Sequence, residues 1–244
     1  PMAAGAAALD RDLGLSEAEG LPPLALLSLL RFVSPSLPIG AYAYSRGLEQ
    51  AVCSEAVHDE VSAGDWIVGL LEHTAARLDG PMFLRLYAAL EADDWGSFER
   101  WNARLLATRE SAELRLEDTQ LGAALARLLA AQGLAPRAAA LLERSDVCYA
   151  SSFALAAISC EVPLSAAVLG FFWAQAEGQT SAAVRLIPLG QTAGQRLLSR
   201  ITQVLPDCAA LAQSLSDAEI GALSPGLALA SALHETQYTR LFRS

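Results

Sequence analysis

Val147-Cys-Tyr-Ala-Ser-Ser-Phe-Ala-Leu-Ala-Ala-Ile-Ser-Cys160 contains no charged residue, and Val162–Ala176 is a second uncharged run directly after it. Glu161 and Pro163 interrupt the join between the two runs. A helix that crosses a membrane needs about 20 consecutive apolar residues, so each run is too short to do so alone. The two runs therefore predict helices buried inside a globular domain, and no membrane association is expected.

Apolar residues on both sides of these runs recur at helical spacing. Met82, Phe83, Leu86, Tyr87 and Leu90 follow the i, i+1, i+4, i+5, i+8 pattern of an amphipathic helix. No segment alternates apolar and polar residues as a half-buried strand would. The sequence therefore predicts an all-α fold, a single bundle of about ten helices. The predicted helices cover residues 21–33, 45–57, 61–71, 82–90, 95–109, 111–132, 138–142, 147–160, 162–176 and 189–205, with a last one opening at Ser224-Pro225.

Three local signals refine this prediction. Ser45 is predicted to cap the helix that follows it, because serine is a preferred N-cap residue. Asp79-Gly80-Pro81 is predicted to end a helix, since proline and glycine interrupt helical hydrogen bonding. Residues 1–20 are rich in alanine and glycine and are expected to be disordered, with Pro1 ahead of Met2 as a cloning remnant. Residues 21–244 are predicted to form one helical domain.

Composition narrows the class of function. Hydrophobic residues make up 53% of the 244 residues and charged residues only 18%, which excludes a disordered chain. The net charge is −10, and the absence of a basic stripe argues against nucleic-acid binding. All 17 basic residues are arginine, so the chain lacks the lysine of a Walker A loop. Scarce charge also predicts apolar surface that other protein chains cover.

The residue types that usually carry chemistry are scattered. Cys53, Cys148, Cys160 and Cys208 form no metal-binding pair and no compact disulfide framework, and the interpretation is reduced, packed cysteines. The chain has no HExxH or GxSxG motif. No cofactor and no catalytic residue are predicted. A helical enzyme with an unrecognised active site stays open as the alternative function, and a membrane-associated helical protein as a third.

Three stretches together resemble the UreF family of urease accessory proteins. They are Ser34-Pro-Ser-Leu-Pro-Ile-Gly-Ala-Tyr-Ala-Tyr-Ser-Arg-Gly-Leu-Glu49, Ile187-Pro-Leu-Gly-Gln-Thr-Ala-Gly-Gln-Arg-Leu-Leu198 and His234-Glu-Thr-Gln-Tyr-Thr-Arg-Leu-Phe-Arg-Ser244. A weaker likeness covers Trp101–Arg115. The resemblance implies an all-helical, homodimeric, cytoplasmic protein that is not an enzyme. It also implies partnership with the accessory protein UreD (UreH in some species), the nickel-carrying GTPase UreG and apo-urease, for nickel insertion and with an effect on the GTPase.

Each stretch supplies candidate partner-binding residues beside a plainer structural interpretation. Tyr42, Tyr44 and Arg46 are candidates to face a partner or the sister subunit. The alternative is that the two tyrosines pack inward as part of a tight helix connector. Gly190 and Gly194 are expected to allow close helix packing, whereas Gln191, Gln195 and Arg196 are candidates to line a partner surface.

At the end of the sequence, Tyr238, Leu241 and Phe242 lie at i, i+3, i+4 and would share one helical face. Arg240 and Arg243 flank that face, and Ser244 follows it. This tail either docks on the chain's own core or orders against UreD/UreH. His234 and Cys208 are weak candidates for nickel ligands. The acidic patches Glu91–Asp94 and Glu110–Asp118 are interpreted as solvated helix faces, which could also steer a basic partner.

Overall fold

The computed structural model of the chain describes residues 21–135, 137–222 and 224–244. The expected disorder of residues 1–20 lies outside these ranges. Within them the chain forms twelve α-helices and no strand, which confirms the predicted all-α class. The helices are α1 Pro23–Phe32, α2 Leu48–Cys53, α3 Glu60–Leu70, α4 Gly80–Glu91, α5 Trp95–Ala107, α6 Ala112–Ala131, α7 Ala138–Leu142, α8 Tyr149–Ser159, α9 Leu164–Leu186, α10 Gln191–Thr202, α11 Leu205–Ser214 and α12 Pro225–His234. A 3-10 turn spans Ala41–Ala43, and α11 is a helix that the sequence pattern did not predict.

The two uncharged runs form α8 and much of α9, and both helices are largely buried. Helix α8 packs between α4 and α6. Phe83 stacks on Phe171 with ring centroids 4.9 Å apart, and Phe153 lies edge-on to Phe83 at 6.0 Å. Aromatic pairs at these separations add about 0.5–1.5 kcal/mol each beyond the area they bury. In the part of the chain that the structure describes, none of the helices has both the length and the hydrophobicity of a membrane span.

Gly122 explains how α6 approaches α8 so closely. A Cβ atom at this position would lie 2.1 Å from the Val147 carbonyl oxygen, well inside van der Waals contact. The Ser152 hydroxyl donates a hydrogen bond of 2.7 Å to the Gly122 carbonyl from the other helix. The absence of a side chain at residue 122 therefore sets the distance between these helices.

The predicted helix end at Asp79-Gly80-Pro81 is wrong. Helices α3 and α4 are joined by a π-helical segment, Leu71–Asp79, so the backbone stays helical from residue 60 to residue 91. Pro81 has no N–H for the Arg77 carbonyl four residues earlier, and the Gly221 N–H donates to that carbonyl instead at 3.1 Å. A neighbouring segment thus satisfies the group that proline leaves free, and the helix continues.

The predicted N-cap at Ser45 is also wrong, because α2 begins at Leu48 after Gly47. Arg46 and Gly47 both have positive φ, 51° and 78°, which turns the chain sharply before α2. A Cβ on Gly47 would lie 3.2 Å from the Ala230 Cβ, so this turn also packs tightly against α12. The turn directs Ser45 and Glu49 toward the last residues of the chain.

Candidate functional site

The last residues of the chain lie on a surface formed by the 43–49 turn, α2, α6 and α9. Helix α12 ends at His234, and residues 237–244 are not helical, so the predicted helical face of the tail is wrong. Phe242 is nevertheless 4% exposed and belongs to a buried cluster with Leu48, Ile187 and Leu197. The Arg185 guanidinium lies 4.4 Å from the centroid of the Phe242 ring, at cation–π distance. The plainer interpretation, a tail docked on its own core, therefore holds for Phe242.

Main-chain hydrogen bonds hold the tail to the 43–49 turn. The Arg243 N–H donates to the Ala43 carbonyl at 2.8 Å, and the Ser45 N–H donates to the Ser244 carbonyl at 3.0 Å. The Ser45 hydroxyl also donates to the Ser244 carbonyl. We call Ala43, Ser45 and Glu49, together with Glu113 and Glu117 of α6, the tail cradle, because these residues all bond the tail.

Glu49 makes the most direct contact with the tail. One of its carboxylate oxygens accepts from the Leu241 N–H at 2.6 Å, and the other accepts from the Phe242 N–H at 2.8 Å. Glu49 is 7% exposed, so its carboxylate needs such donors. Because both donors are backbone groups, this contact does not depend on which side chains the tail carries.

His234 and Glu113 continue the contact behind Glu49. His234 is fully buried, with Nε2 3.1 Å from Glu49 Oε2 and Nδ1 2.6 Å from Glu113 Oε2. The other oxygen of Glu113 accepts from the Arg240 guanidinium at 2.7 Å. Two carboxylates, one imidazole and one guanidinium therefore form a continuous chain from α2 through α12 and α6 to the tail.

A second buried group of charges lies next to the cradle and is centred on Arg109. Its guanidinium donates to Asp118 at 2.7 Å and to Asp79 at 2.8 Å, and both carboxylates are buried. Burial lowers the pKa of Arg109, but Asp118 and Asp79 outweigh it and the net pKa shift is upward. The Asp118 carboxylate also accepts from the Tyr149 N–H at 2.7 Å, which ties α6 to the start of α8.

Arg46 and Glu117 connect this group to the tail. The Arg46 guanidinium donates to Gln175 at 2.8 Å and lies 3.7 Å from both Asp79 and Glu117. Glu117 accepts from the Ser244 hydroxyl at 2.6 Å. Burial raises the pKa of Glu117, against the opposing effect of Arg46 and of the Ser244 hydrogen bond.

The interpretation of Glu110–Asp118 as a solvated face is wrong for three of its residues. Glu117 and Asp118 are buried at 7% and 6% exposure, and the Glu113 side chain is 11% exposed. A signal was present in the sequence, since residues 117 and 118 fall between Leu114 and Leu121 on the apolar stripe of α6. Carboxylates on a core-facing stripe indicate buried ion pairs. The other patch, Glu91–Asp94, is exposed as predicted.

The structure separates the candidate partner-binding residues into two groups. Tyr44, Phe242 and Ser244 are buried within the chain, and the Arg46 side chain is only 19% exposed. The exposed candidates are Tyr42, Gln191, Gln195, Arg196, Tyr238, Arg240, Leu241 and Arg243. Of these, Arg196 pairs with Glu60 on α3. Gly194 lies against Val184 of α9, as close packing requires, whereas Gly190 precedes α10 with open space around it.

The two weak candidates for metal ligands have separate surroundings. His234 has both ring nitrogens engaged by carboxylates, and Cys208 is buried in the main core. Burial, together with Glu72 and Asp207, raises the pKa of the Cys208 thiol to about 11, which disfavours the thiolate that binds metals. Among the described residues, no three His, Cys, Asp or Glu side chains are grouped to hold a metal ion.

Comparison of the sequence with known proteins identifies relatives of this chain. A family model described as UreF matches residues 57–202, more than half of the chain. The chain is 46% identical over 223 residues to a urease accessory protein UreF 2 of Brucella anthropi, covering 91% of this chain and 98% of the relative. It is 45% identical over 223 residues to the urease accessory protein UreF of Alkalilimnicola ehrlichii, with 91% and 97% covered. It is 47% identical over 223 residues to that of Pseudomonas putida, with 91% and 98% covered.

Proposed function

Because this chain belongs to the UreF family of urease accessory proteins, we propose that it is a scaffold that links UreG, UreD/UreH and apo-urease during nickel insertion. The family is one of maturation factors, so the chain is an accessory protein rather than an enzyme. The proposal includes a cytoplasmic location and a homodimer, both taken from the family resemblance.

The proposal rests on the apolar and aromatic side chains that the docked tail exposes to solvent. Tyr238 is fully exposed, and Leu241, whose N–H the cradle holds, is 57% exposed. Leu116, which follows Glu113 by one helical turn, is 52% exposed, and Leu233, next to His234, is 46% exposed. Exposed apolar and aromatic side chains, with arginine nearby as at Arg240 and Arg243, are typical of protein-binding surfaces. We infer that this surface receives UreD/UreH.

A scaffold of this kind acts on the GTPase only through differential binding. If the complex binds one nucleotide state of UreG more tightly than the other, it shifts UreG toward that state by the ratio of the two affinities. The measurement is the GTP hydrolysis rate of UreG with and without the preformed complex of this chain and UreD/UreH. An unchanged rate and equal affinities for both nucleotide states would remove regulation from the proposal.

The docked tail determines which variants test the surface. Deleting Tyr238–Ser244 would also remove Phe242 from its pocket and leave Glu49, Glu113 and Glu117 without tail donors. The doubly substituted Tyr238→Ala, Leu241→Ala chain removes only outward side chains. Leu142→Ala on α7, exposed at 44%, is the matched control.

The experiment is co-purification of each variant with UreD/UreH and with UreG, with stoichiometry read by light scattering. We expect the double variant to lose UreD/UreH and the Leu142→Ala chain to retain it. The nickel content of urease matured with the double variant should fall in parallel. Normal capture of UreD/UreH by the double variant would show that this surface is not the contact.

A further inference from the structure

We propose that Glu49, oriented by His234 and Glu113, is the positioning residue that holds Arg240–Ser244 on the cradle and thereby presents Tyr238 and Leu241 as a preformed surface. This inference rests on the proposed function, in which that surface receives UreD/UreH. It assigns a role to the Glu49 carboxylate, which is buried beneath the tail.

The first step is the geometry of the Glu49 carboxylate. Its two oxygens accept from the N–H groups of two consecutive residues, Leu241 and Phe242, at 2.6 and 2.8 Å. Hydrogen bonds to an ionised acceptor are about twice as strong as those between neutral groups. Two such bonds to adjacent amides fix the direction of the backbone at this point, whatever the side chains are.

The second step is the support behind Glu49. Both ring nitrogens of His234 lie within hydrogen-bond distance of a carboxylate oxygen, Nε2 at Glu49 and Nδ1 at Glu113. The Arg240 guanidinium bonds the other oxygen of Glu113, so Glu49, His234, Glu113 and Arg240 form one connected series of side chains. The tail thus contributes one of the four side chains that orient the residue holding it.

The third step is how a fixed backbone determines which side chains of the tail are buried and which are exposed. Phe242 and Ser244 are buried, whereas Leu241 and Arg243 are exposed, which is the alternation of an extended segment. Ordering a free backbone residue costs about 1–2 kcal/mol, and a tail already in place avoids that cost when a partner binds. Glu49 consequently determines both which tail side chains face outward and how readily they bind.

The test uses the full chain with Glu49→Gln, which keeps the side-chain shape and removes the charge. The first readout is amide hydrogen exchange of the tail, followed by mass spectrometry. The second is the Kd for UreD/UreH. We expect exchange at Leu241 and Phe242 to be about 10- to 100-fold faster and the Kd to rise by a similar factor, as for loss of a charge-assisted hydrogen bond. Glu60→Gln is the matched control, because Glu60 pairs with Arg196 away from the cradle.

Arg240→Gln provides a second route if Glu49→Gln does not fold. Arg240 has a side chain 40% exposed and, among the residues that the structure describes, bonds no carboxylate other than Glu113. Its loss should therefore accelerate tail exchange a few-fold without unfolding the chain. Tail exchange in Glu49→Gln that matches the Glu60→Gln control would overturn the positioning role. A freed tail with an unchanged or tighter Kd would overturn presentation, since docking would then be irrelevant to binding or in competition with it. If the unmodified chain does not bind UreD/UreH, the proposed function fails and presentation with it, while the exchange data still decide what Glu49 does.

Discussion

Replacing Arg109 with methionine tests whether the buried charge group stabilises the fold. Methionine fills a similar volume but leaves two buried carboxylates, Asp79 and Asp118, without their closest cation. Removing one partner of a buried ion pair typically costs about 3–5 kcal/mol. Arg46 still lies 3.7 Å from Asp79, and Asp118 keeps the Tyr149 N–H, so we expect the lower end, about 3 kcal/mol. In a chain of this size that corresponds to a fall in Tm of roughly 6–12 °C.

The assay is urea denaturation followed by circular dichroism at 222 nm, with the free energy of unfolding obtained by linear extrapolation. Arg196→Met is the matched control, because its pair with Glu60 is at the surface and exposed pairs contribute about 1 kcal/mol or less. A triple variant, Asp79→Asn with Arg109→Met and Asp118→Asn, should recover part of the loss because no uncompensated charge remains. If Arg109→Met costs no more than Arg196→Met, the two carboxylates do not depend on Arg109 and the reasoning fails.

Three further predictions concern packing, pH and the tail. Gly122→Ala should lower the free energy of unfolding by about 1–3 kcal/mol, because its Cβ would meet the Val147 carbonyl. Gly178→Ala on α9, with open space around it, should raise the free energy of unfolding by up to about 1 kcal/mol. Equal melting temperatures of the two variants would contradict this prediction. Because burial raises the pKa of Glu117, the folded state binds a proton at this carboxylate more tightly than the unfolded state does. The contribution of Glu117 to stability is therefore most favourable below about pH 4.5 and is lost as the pH rises through the raised pKa. The stability of Glu117→Gln relative to the unmodified chain should therefore increase between pH 4 and pH 8, and a difference independent of pH in denaturation curves would refute it. Phe242→Ala should free the tail, since burial of a phenylalanine is worth about 3 kcal/mol or more. Amide exchange in residues 240–244 should become faster, while exchange in α8 stays unchanged. A tail that exchanges as before would show that the main-chain hydrogen bonds are sufficient to hold it.

Helical periodicity and composition alone predicted the all-α class. The uncharged runs at α8 and α9 were identified because burial on all sides requires continuous apolar sequence, which is a local property. The three stretches from which the family was inferred are local as well, and the matches with relatives bear that inference out.

Long-range contacts decided where helices end and how the tail is bound, because they supply hydrogen-bonding groups that neighbours in sequence cannot. Pro81 does not end a helix here, since Gly221, far along the chain, satisfies the Arg77 carbonyl. The tail is not helical, because Glu49 and Ala43 take the backbone N–H groups that a helix would use internally. The helical spacing from Tyr238 to Phe242 predicts a shared face only if the backbone of this segment forms helical hydrogen bonds with itself.

Long-range contacts also explain why some charged side chains are buried. The position of Glu117 and Asp118 on the apolar stripe of α6 indicates burial but does not identify their partners, and burial of an unpaired charge is costly. Only the folded chain brings Arg109, Arg46 and His234 next to those carboxylates, and these pairings make burial possible. The sequence by itself therefore determined the all-α class and the family, whereas the tertiary structure decided where a helix continues or stops, which charges are inside and which face of the tail is outside.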